Sequence, residues 1–221
     1  MDDIRLPKIE TFDIRKTIEL KQIHKLPKLE KKILIVTDKE KLKLIKTVEK
    51  VVRSSIEYKQ YIQYLREEID MTMCSFFNNI SNKDGSKVSI EIHHEPFTLF
   101  DITQIIVEKC MSNDIIVNPL LLAEEVMKLH YQNKVGLIPL SITVHQLVTD
   151  GKIFIPLQCV YGDFIGFLEE YNDYITDDIK DILECKLKMS RDLTELDLSK
   201  LEKKYVYLEI DGMTFPQPIK E

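Results

Sequence analysis

Apolar residues recur at helical spacing along most of this chain, and the strand-like runs between them are few and short. In six segments the apolar side chains fall three or four residues apart, which is the helical pattern. These segments lie at 42–52, 55–70, 102–110, 119–132, 144–148 and 175–187. Short strand-like or buried apolar runs lie at 32–37, 87–93, 137–140 and 205–210. The spacing therefore predicts a helix-rich α+β fold.

Capping residues indicate where several of these helices begin. Ser, Thr, Asp and Asn are the side chains that best accept hydrogen bonds from the free backbone amides of a first helical turn. The candidates, in chain order, are Asp38, Ser54, Thr98 or Asp101, Asn118 and Ser141. Glu57 follows Ser54 at the capping-box spacing, and Pro119 follows Asn118 as a favourable first helical residue. Gly136 marks the end of the helix that begins at Pro119.

Composition excludes a disordered chain and a membrane-spanning one. The protein has 221 residues, of which 44% are hydrophobic, so it can bury a substantial core. Its longest apolar runs are far too short to cross a bilayer, and the N-terminus is acidic and lacks the apolar core of a signal peptide. We expect no membrane partner and a cytoplasmic location, which is the host cytoplasm if the chain is phage-encoded. The four cysteines form no Cys-x-x-Cys pair and are expected to be reduced packing residues.

Charge is distributed unevenly along the chain. Residues 1–66 contain 17 Lys and Arg against 10 Asp and Glu, a net charge of +7, whereas residues 67–221 carry a net charge of −13. Binding to a phosphate backbone depends on local charge, so the basic segment is a candidate DNA contact even though the whole chain is acidic. A solvated, lysine-rich helix surface is the alternative interpretation.

Three histidines carry the strongest functional hint. His93 and His94 end the run 88–94, in which Val88, Ile90 and Ile92 alternate with polar residues. This alternation places His93 on the polar side of a strand and His94 on the apolar side. His145 follows in a helix that comes directly after the apolar run 137–140. Imidazole binds metals and exchanges protons near neutral pH, so this group is either a metal-type site or a set of structural hydrogen bonds.

The order of these features resembles the HNH endonucleases of the His-Me finger class, in particular phage-encoded proteins of that type. The resemblance covers residues 87–155 and implies a small ββα-metal core, with the helices of 98–132 inserted between its hairpin and its helix. It further implies a metal-dependent hydrolase that cuts DNA phosphodiester bonds. Residue by residue, it makes His93 and His145 the ligands of a divalent metal ion, and His94 the general base that activates water.

The resemblance leaves parts of the site open. Asn133 is the candidate for the family's catalytic asparagine, and Asn118 is the other, although a helix cap explains Asn118 fully. Thr149 stands where many members carry a second helix histidine. The metal would be Mg²⁺, Mn²⁺, Zn²⁺ or Ni²⁺, and the softer ions suit two imidazoles better unless a carboxylate joins them. The candidate carboxylates are Glu91, Glu95 and Asp150.

Other side chains favour simpler readings. His130 ends the apolar face of the helix 119–132 and is expected to be structural. Tyr58, Tyr61 and Tyr64 lie at helical spacing beside basic residues, a pattern that suits base stacking but is more simply explained by core packing.

Three functions and three segments follow from these observations. The first function is an HNH-type endonuclease that acts on DNA. The second is a non-catalytic HNH-like protein that binds DNA or belongs to the virion. The third is an interaction protein whose acidic C-terminal helices mimic nucleic acid or dock on a host factor. A homodimer or a phage or host protein partner is also expected as an alternative. The segments are a basic N-terminal arm and helix (1–53), an HNH-like core with a helical insertion (54–170), and acidic C-terminal helices with a strand (171–221).

Overall fold

The computed structural model describes residues 37–77, 80–82, 88–115 and 117–191, together with the backbone of two strands at 205–210 and 213–218. Nearly all of the predicted strand at 32–37 and the whole N-terminal arm before it lie outside the described residues. So does most of the turn that precedes the predicted strand at 87–93.

Seven α-helices and two short antiparallel pairs of strands make up the described part of the chain. The helices are α1 (Asp38–Ser54), α2 (Ile56–Glu67), α3 (Leu99–Ser112), α4 (Pro119–Tyr131), α5 (Ile142–Thr149), α6 (Phe164–Tyr171) and α7 (Asp177–Arg191). The strands are β1 (Ile90–His94), β2 (Leu137–Ser141), β3 (Tyr205–Ile210) and β4 (Met213–Pro218). Two 3₁₀ turns, Leu157–Cys159 and Asn172–Tyr174, flank α6. The prediction of a helix-rich α+β fold is confirmed.

Most of the predicted helix starts are confirmed, and two are displaced by one residue. Thr37, not Asp38, caps α1, because its hydroxyl accepts from the amide of Glu40 while the Glu40 carboxylate accepts from the Thr37 amide. Ser55, not Ser54, caps α2. Thr98, Asn118 and Ser141 cap α3, α4 and α5 as expected, and Asp101 completes a capping box with Thr98.

Three successive helices end in the same way. The residue after the C-cap of α3, α4 and α5 has a left-handed backbone, and the amide of the following residue bonds to a carbonyl five positions back. This is the Schellman motif, which favours Gly, Asn or Asp at the left-handed position. The left-handed residues are Asp114, Asn133 and Gly151, with φ of 53°, 58° and 68°. Asn133, and not the predicted Gly136, therefore ends α4.

The first strand pair positions the histidines. β1 pairs antiparallel with β2 over the whole length of both strands, with Ile90 opposite Ser141 and His94 opposite Leu137. α3 and α4 lie between the two strands in sequence, and α5 follows β2 directly. The outer edge of β2 is also paired, because Leu137 exchanges two backbone hydrogen bonds with Tyr161, at 2.7 and 2.9 Å. β2 is thus hydrogen-bonded to β1 along one edge and to Tyr161 at the other.

Two groups of buried apolar side chains form the interior. The larger is built on α1 to α4 and also takes in residues of α6 and α7, whereas the smaller joins β1 and β2 to α5 and to residues 155–164. α1 contributes Leu44, Ile45, Val48 and Val52 to the larger group, so its inner face is part of the main core. The division of the chain into three segments stays a prediction.

The second strand pair lies near the C-terminus. β3 pairs antiparallel with β4, with Tyr205 opposite Pro218 and Ile210 opposite Met213, so the predicted strand at 205–210 is confirmed. Within the described residues, no helix is both long enough and apolar enough to span a membrane.

Two glycines give a matched test of the pairing between β1 and β2. A Cβ at Gly136 would lie 1.7 Å from the carbonyl oxygen of Glu95, which is backbone and cannot move without breaking the strand pairing, whereas a Cβ at Gly151 would have no neighbour within 4 Å. We expect Gly136→Ala to lower the free energy of unfolding by more than about 3 kcal/mol, and Gly151→Ala by about 1 kcal/mol through its left-handed backbone alone. Urea denaturation of both variants measures the difference, and equal losses would contradict the close approach at Gly136.

Candidate functional site

His93 and His94 point to opposite faces of β1. His94 is buried with 5% of its surface exposed, while the His93 side chain is partly exposed and faces α5. Neighbouring side chains on a strand alternate between faces, so the two rings cannot converge on one point. The prediction drawn from the alternation, with His93 on the polar side and His94 on the apolar side, agrees with this geometry.

His94 forms a buried pair with His130 of α4. Their Nε2 atoms are 3.0 Å apart, and the Nδ1 of His130 lies 2.7 Å from the carbonyl oxygen of Val126. Because a carbonyl only accepts, His130 carries its proton on Nδ1 and accepts at Nε2 from the Nε2–H of His94. Tyr58 of α2 stacks on His94 and meets His130 edge-on, and Tyr61 packs on His130 in the same way.

Burial keeps this pair neutral. It lowers the pKa of His130 to about 4, although the hydrogen bond to Val126 opposes the shift. Burial, followed by the neighbouring His130, holds the pKa of His94 well below its usual range. A general base must contact the water molecule from which it removes a proton. Both rings here are enclosed in the core and have almost no contact with solvent. The pair therefore stabilises the packing of β1 against α2 and α4.

On the other face of β1, polar contacts link this strand to α5 and α7. His145 Nδ1 bonds to the Glu91 carboxylate, and the His93 and His145 rings are 4.9 Å apart between centroids. His93 Nε2 lies 3.7 Å from Glu95 Oε2, and Lys186 Nζ lies 2.6 Å from Glu95 Oε1. These contacts connect His145 of α5 and Glu91, through His93 and Glu95, to Lys186 of α7.

The structure brings together only some of the residues predicted for a metal site. His93 and His145 are neighbours, with Glu91 and Glu95 beside them, but the predicted base His94 lies on the opposite face of the strand. Asp150 pairs with Lys152 instead. Within the described ranges, no group of three or more His, Cys, Asp or Glu side chains is arranged to hold a metal ion. The expected ββα-metal core is not confirmed.

Asn133 and Thr149 have structural positions. Asn133 occupies the left-handed position at the end of α4 and is 8% exposed, and neither polar atom of its side chain has a hydrogen-bond partner in the described part of the chain. It follows His130 by three residues, just beyond the end of α4. Thr149 Oγ1 donates to the carbonyl of His145 within α5. Tyr58 and Tyr61 are buried, which agrees with core packing and not with base stacking.

A second candidate site is the basic face of α1. Its members are exposed, lie three or four residues apart, and fall within one stripe on the side of the helix opposite to Ile45 and Val48. They are Lys39, Lys43, Lys46, Lys50 and Arg53. The stripe runs for about 21 Å along the helix axis. The net charge of +7 over residues 1–66 indicated a basic region. The helical spacing of these five residues is the sequence signal that locates the stripe within it.

Two basic residues of α1 lie near a carboxylate, one outside the stripe and one within it. Lys41 lies outside it and pairs with Glu108 of α3. Arg53 is 3.8 Å from Glu49, one turn earlier in the same helix. The four lysines of the basic face have no ion pair within the described residues, so their charges face solvent.

The buried pair predicts a decline of stability in acid. In the unfolded chain a histidine titrates near 6.5, whereas His130 in the fold titrates near 4, so the unfolded state binds more protons below pH 6.5. Stability is fully present above pH 6.5 and is lost as the pH falls towards 4. We expect a loss of about 2 kcal/mol from His130 alone at pH 5, measured by urea denaturation against pH 8.

Replacing both rings tests the cause of this decline. His94→Phe combined with His130→Leu removes both polar partners together and should flatten the pH dependence. His145→Gln leaves the buried rings in place and should retain the decline. Ring NMR signals of wild-type His94 and His130 offer a second readout, and protonation of either ring at pH 6 would contradict the buried neutral pair.

Comparison with known proteins settles the family. The model of the bacteriophage G278-like virion protein family matches residues 7–211, which is most of the chain. Searches of curated proteins and of solved structures give no match. The resemblance to HNH endonucleases is therefore wrong, and the nuclease, hydrolase and metal-binding expectations are not supported. The roles of His93, His94, Asn133 and His145 rested on that resemblance. This chain belongs to the family of bacteriophage G278-like virion proteins.

Proposed function

We propose that this virion protein contacts the phage DNA through the basic face of α1. The observation that carries the proposal is the single stripe formed by Lys39, Lys43, Lys46, Lys50 and Arg53, all exposed on one side of a helix whose other side is anchored in the core. A rigid row of cations can neutralise consecutive phosphates without paying an ordering cost for the backbone.

The chemistry of the stripe fits a phosphate backbone better than a base edge. Lysine is a flexible point charge with donors only, which attracts phosphates regardless of sequence, whereas base recognition favours planar, bidentate groups. Lysine makes up four of the five members. The contact is therefore expected to be independent of DNA sequence and strongly dependent on salt.

The net charge of −6 does not oppose this proposal. Charges further than about 10 Å from a phosphate are largely screened at 0.1 M salt, so the local charge of α1 and not the net charge governs this contact. The inner face of α1 packs on α3 and α4, and the basic face is directed away from them.

Binding of the full chain to a random-sequence duplex, followed by fluorescence anisotropy over a range of salt concentrations, tests the proposal. Lys46→Gln with Lys50→Gln removes two charges from the basic face. We expect the slope of log K against log salt to fall in magnitude by about 2, and the affinity at 0.1 M salt to drop at least tenfold. The core residues of α1 are untouched, so the helix should remain folded.

The matched control removes the same charge elsewhere. Lys128 and Lys152 are exposed on α4 and in the turn after α5, and each sits near a carboxylate. Lys128→Gln with Lys152→Gln should leave both affinity and salt slope close to wild type. Equal losses in the two double variants would assign binding to overall charge, and absence of binding by the wild-type chain would refute a DNA contact outright.

A further inference from the structure

Helix α7 carries a second apolar stripe on its outer side. Ile179 and Leu183 point inward and are buried, as expected for a helix that packs on a core. Ile182 and Met189 point outward and are 57% and 43% exposed, and Cys185 lies between them, also exposed, with its Sγ 4.0 Å from the Met189 Sδ. These three residues follow the spacing of a coiled-coil seam.

Contacts on the inner side fix the rotation of α7, so the outward direction of this stripe is not incidental. Lys186 Nζ is 2.6 Å from Glu95 Oε1 and 2.9 Å from the carbonyl oxygen of Pro96. Near the C-terminal end, Ser190 Oγ accepts from the amide of Leu157 at 3.1 Å, and its carbonyl accepts from Gln158 at 2.8 Å. Rotating α7 to bury the outer stripe would break all four contacts.

Two charged residues of opposite sign flank the stripe on one side. Asp181 lies in the N-terminal half of α7, and Lys188 lies one heptad later in the C-terminal half. Both are exposed. The apolar seam and the acidic residue make this surface unsuitable for DNA, whereas the reversal of sign makes it complementary to its own copy in the opposite direction.

We propose that two copies of this protein associate through an antiparallel pairing of their α7 helices. A twofold axis near the middle of the helix places Ile182 against Cys185 of the partner subunit, and Asp181 beside Lys188 of the partner subunit. In such antiparallel pairs, flanking residues on the same side of the seam face one another, so each acidic residue meets a basic one.

The interface is small. α7 has 15 residues and spans about 22 Å, so the buried area is at the low end for a specific contact, and we expect a dissociation constant in the micromolar range. This association is separate from the DNA contact of α1, since it uses the residues of a different helix.

Charge exchange tests the pairing in the full chain. Sedimentation equilibrium at about 1–200 μM protein in a reducing buffer should show a monomer–dimer equilibrium. Asp181→Lys places lysine opposite lysine, and Lys188→Asp places aspartate opposite aspartate, so each should raise the dissociation constant at least about tenfold. The double variant Asp181→Lys with Lys188→Asp restores opposite charges across the axis and should recover dimerisation to within about threefold of wild type.

The controls separate this pairing from other causes. Asp181 and Lys188 are seven residues apart, too far to pair within one helix, so recovery in the double variant reports contact between two copies. Cys185→Ser should retain the dimer, which excludes a disulfide as its origin. A wild-type chain that stays monomeric throughout, single reversals that leave the dimer intact, or a double variant that stays as weak as the single ones would each overturn the proposal.

Discussion

The antiparallel pairing of β1 with β2 determines the environment of every histidine that the structure describes. By fixing β1 between the helical core and α5, it directs His94 inward to His130 and His93 outward to His145. A shift of register by one residue would exchange the two rings between faces, burying the one that pairs with Glu95 and exposing the one that pairs with His130. The close approach of Gly136 to Glu95, where any Cβ would collide, prevents that shift.

A buried histidine pair is a costly way to fill a core. Each ring loses its hydration, and only the chain of hydrogen bonds from His94 through His130 to Val126 compensates for that loss. The directionality of this chain requires both rings to be neutral and admits one arrangement of their protons. The pair thus specifies how β1, α2 and α4 fit together in a way that apolar side chains of similar volume would not.

α1 and α7 expose different patterns of charged residues. α1 exposes a row of cations, while α7 exposes acidic residues followed by basic ones beside an apolar seam. In both helices the inner face is anchored by core residues, so the outer face is free to be used for contact with another molecule. For a virion protein, one surface suited to a phosphate backbone and another suited to a second copy are compatible with a structural role within an assembly.

Local features of the fold were predictable from the sequence because they depend on residues a few positions apart. The presence of α3 and α4 and the alternation along β1 follow from helical and strand periodicity, and the caps Thr98, Asn118 and Ser141 follow from residue type. The starts of α1 and α2 were displaced because adjacent residues, Thr37 beside Asp38 and Ser55 beside Ser54, compete for one capping position. The end of α4 was predicted at Gly136 and lies at Asn133, because asparagine as well as glycine tolerates a left-handed backbone.

The candidate site was predicted less well, since its partners are distant in the chain. The approach of His145 to His93 was anticipated, but the order of histidines along a chain does not distinguish a shared site from two opposite faces of one strand. His94 meets His130 across 36 residues, and Lys186 meets the segment around Pro96 across 90. The sequence by itself determined which segments are helical, where they begin and which side chains must be covered. Only the tertiary structure decided what covers them, because packing between distant segments follows from the fit of whole surfaces and not from the spacing of neighbouring residues.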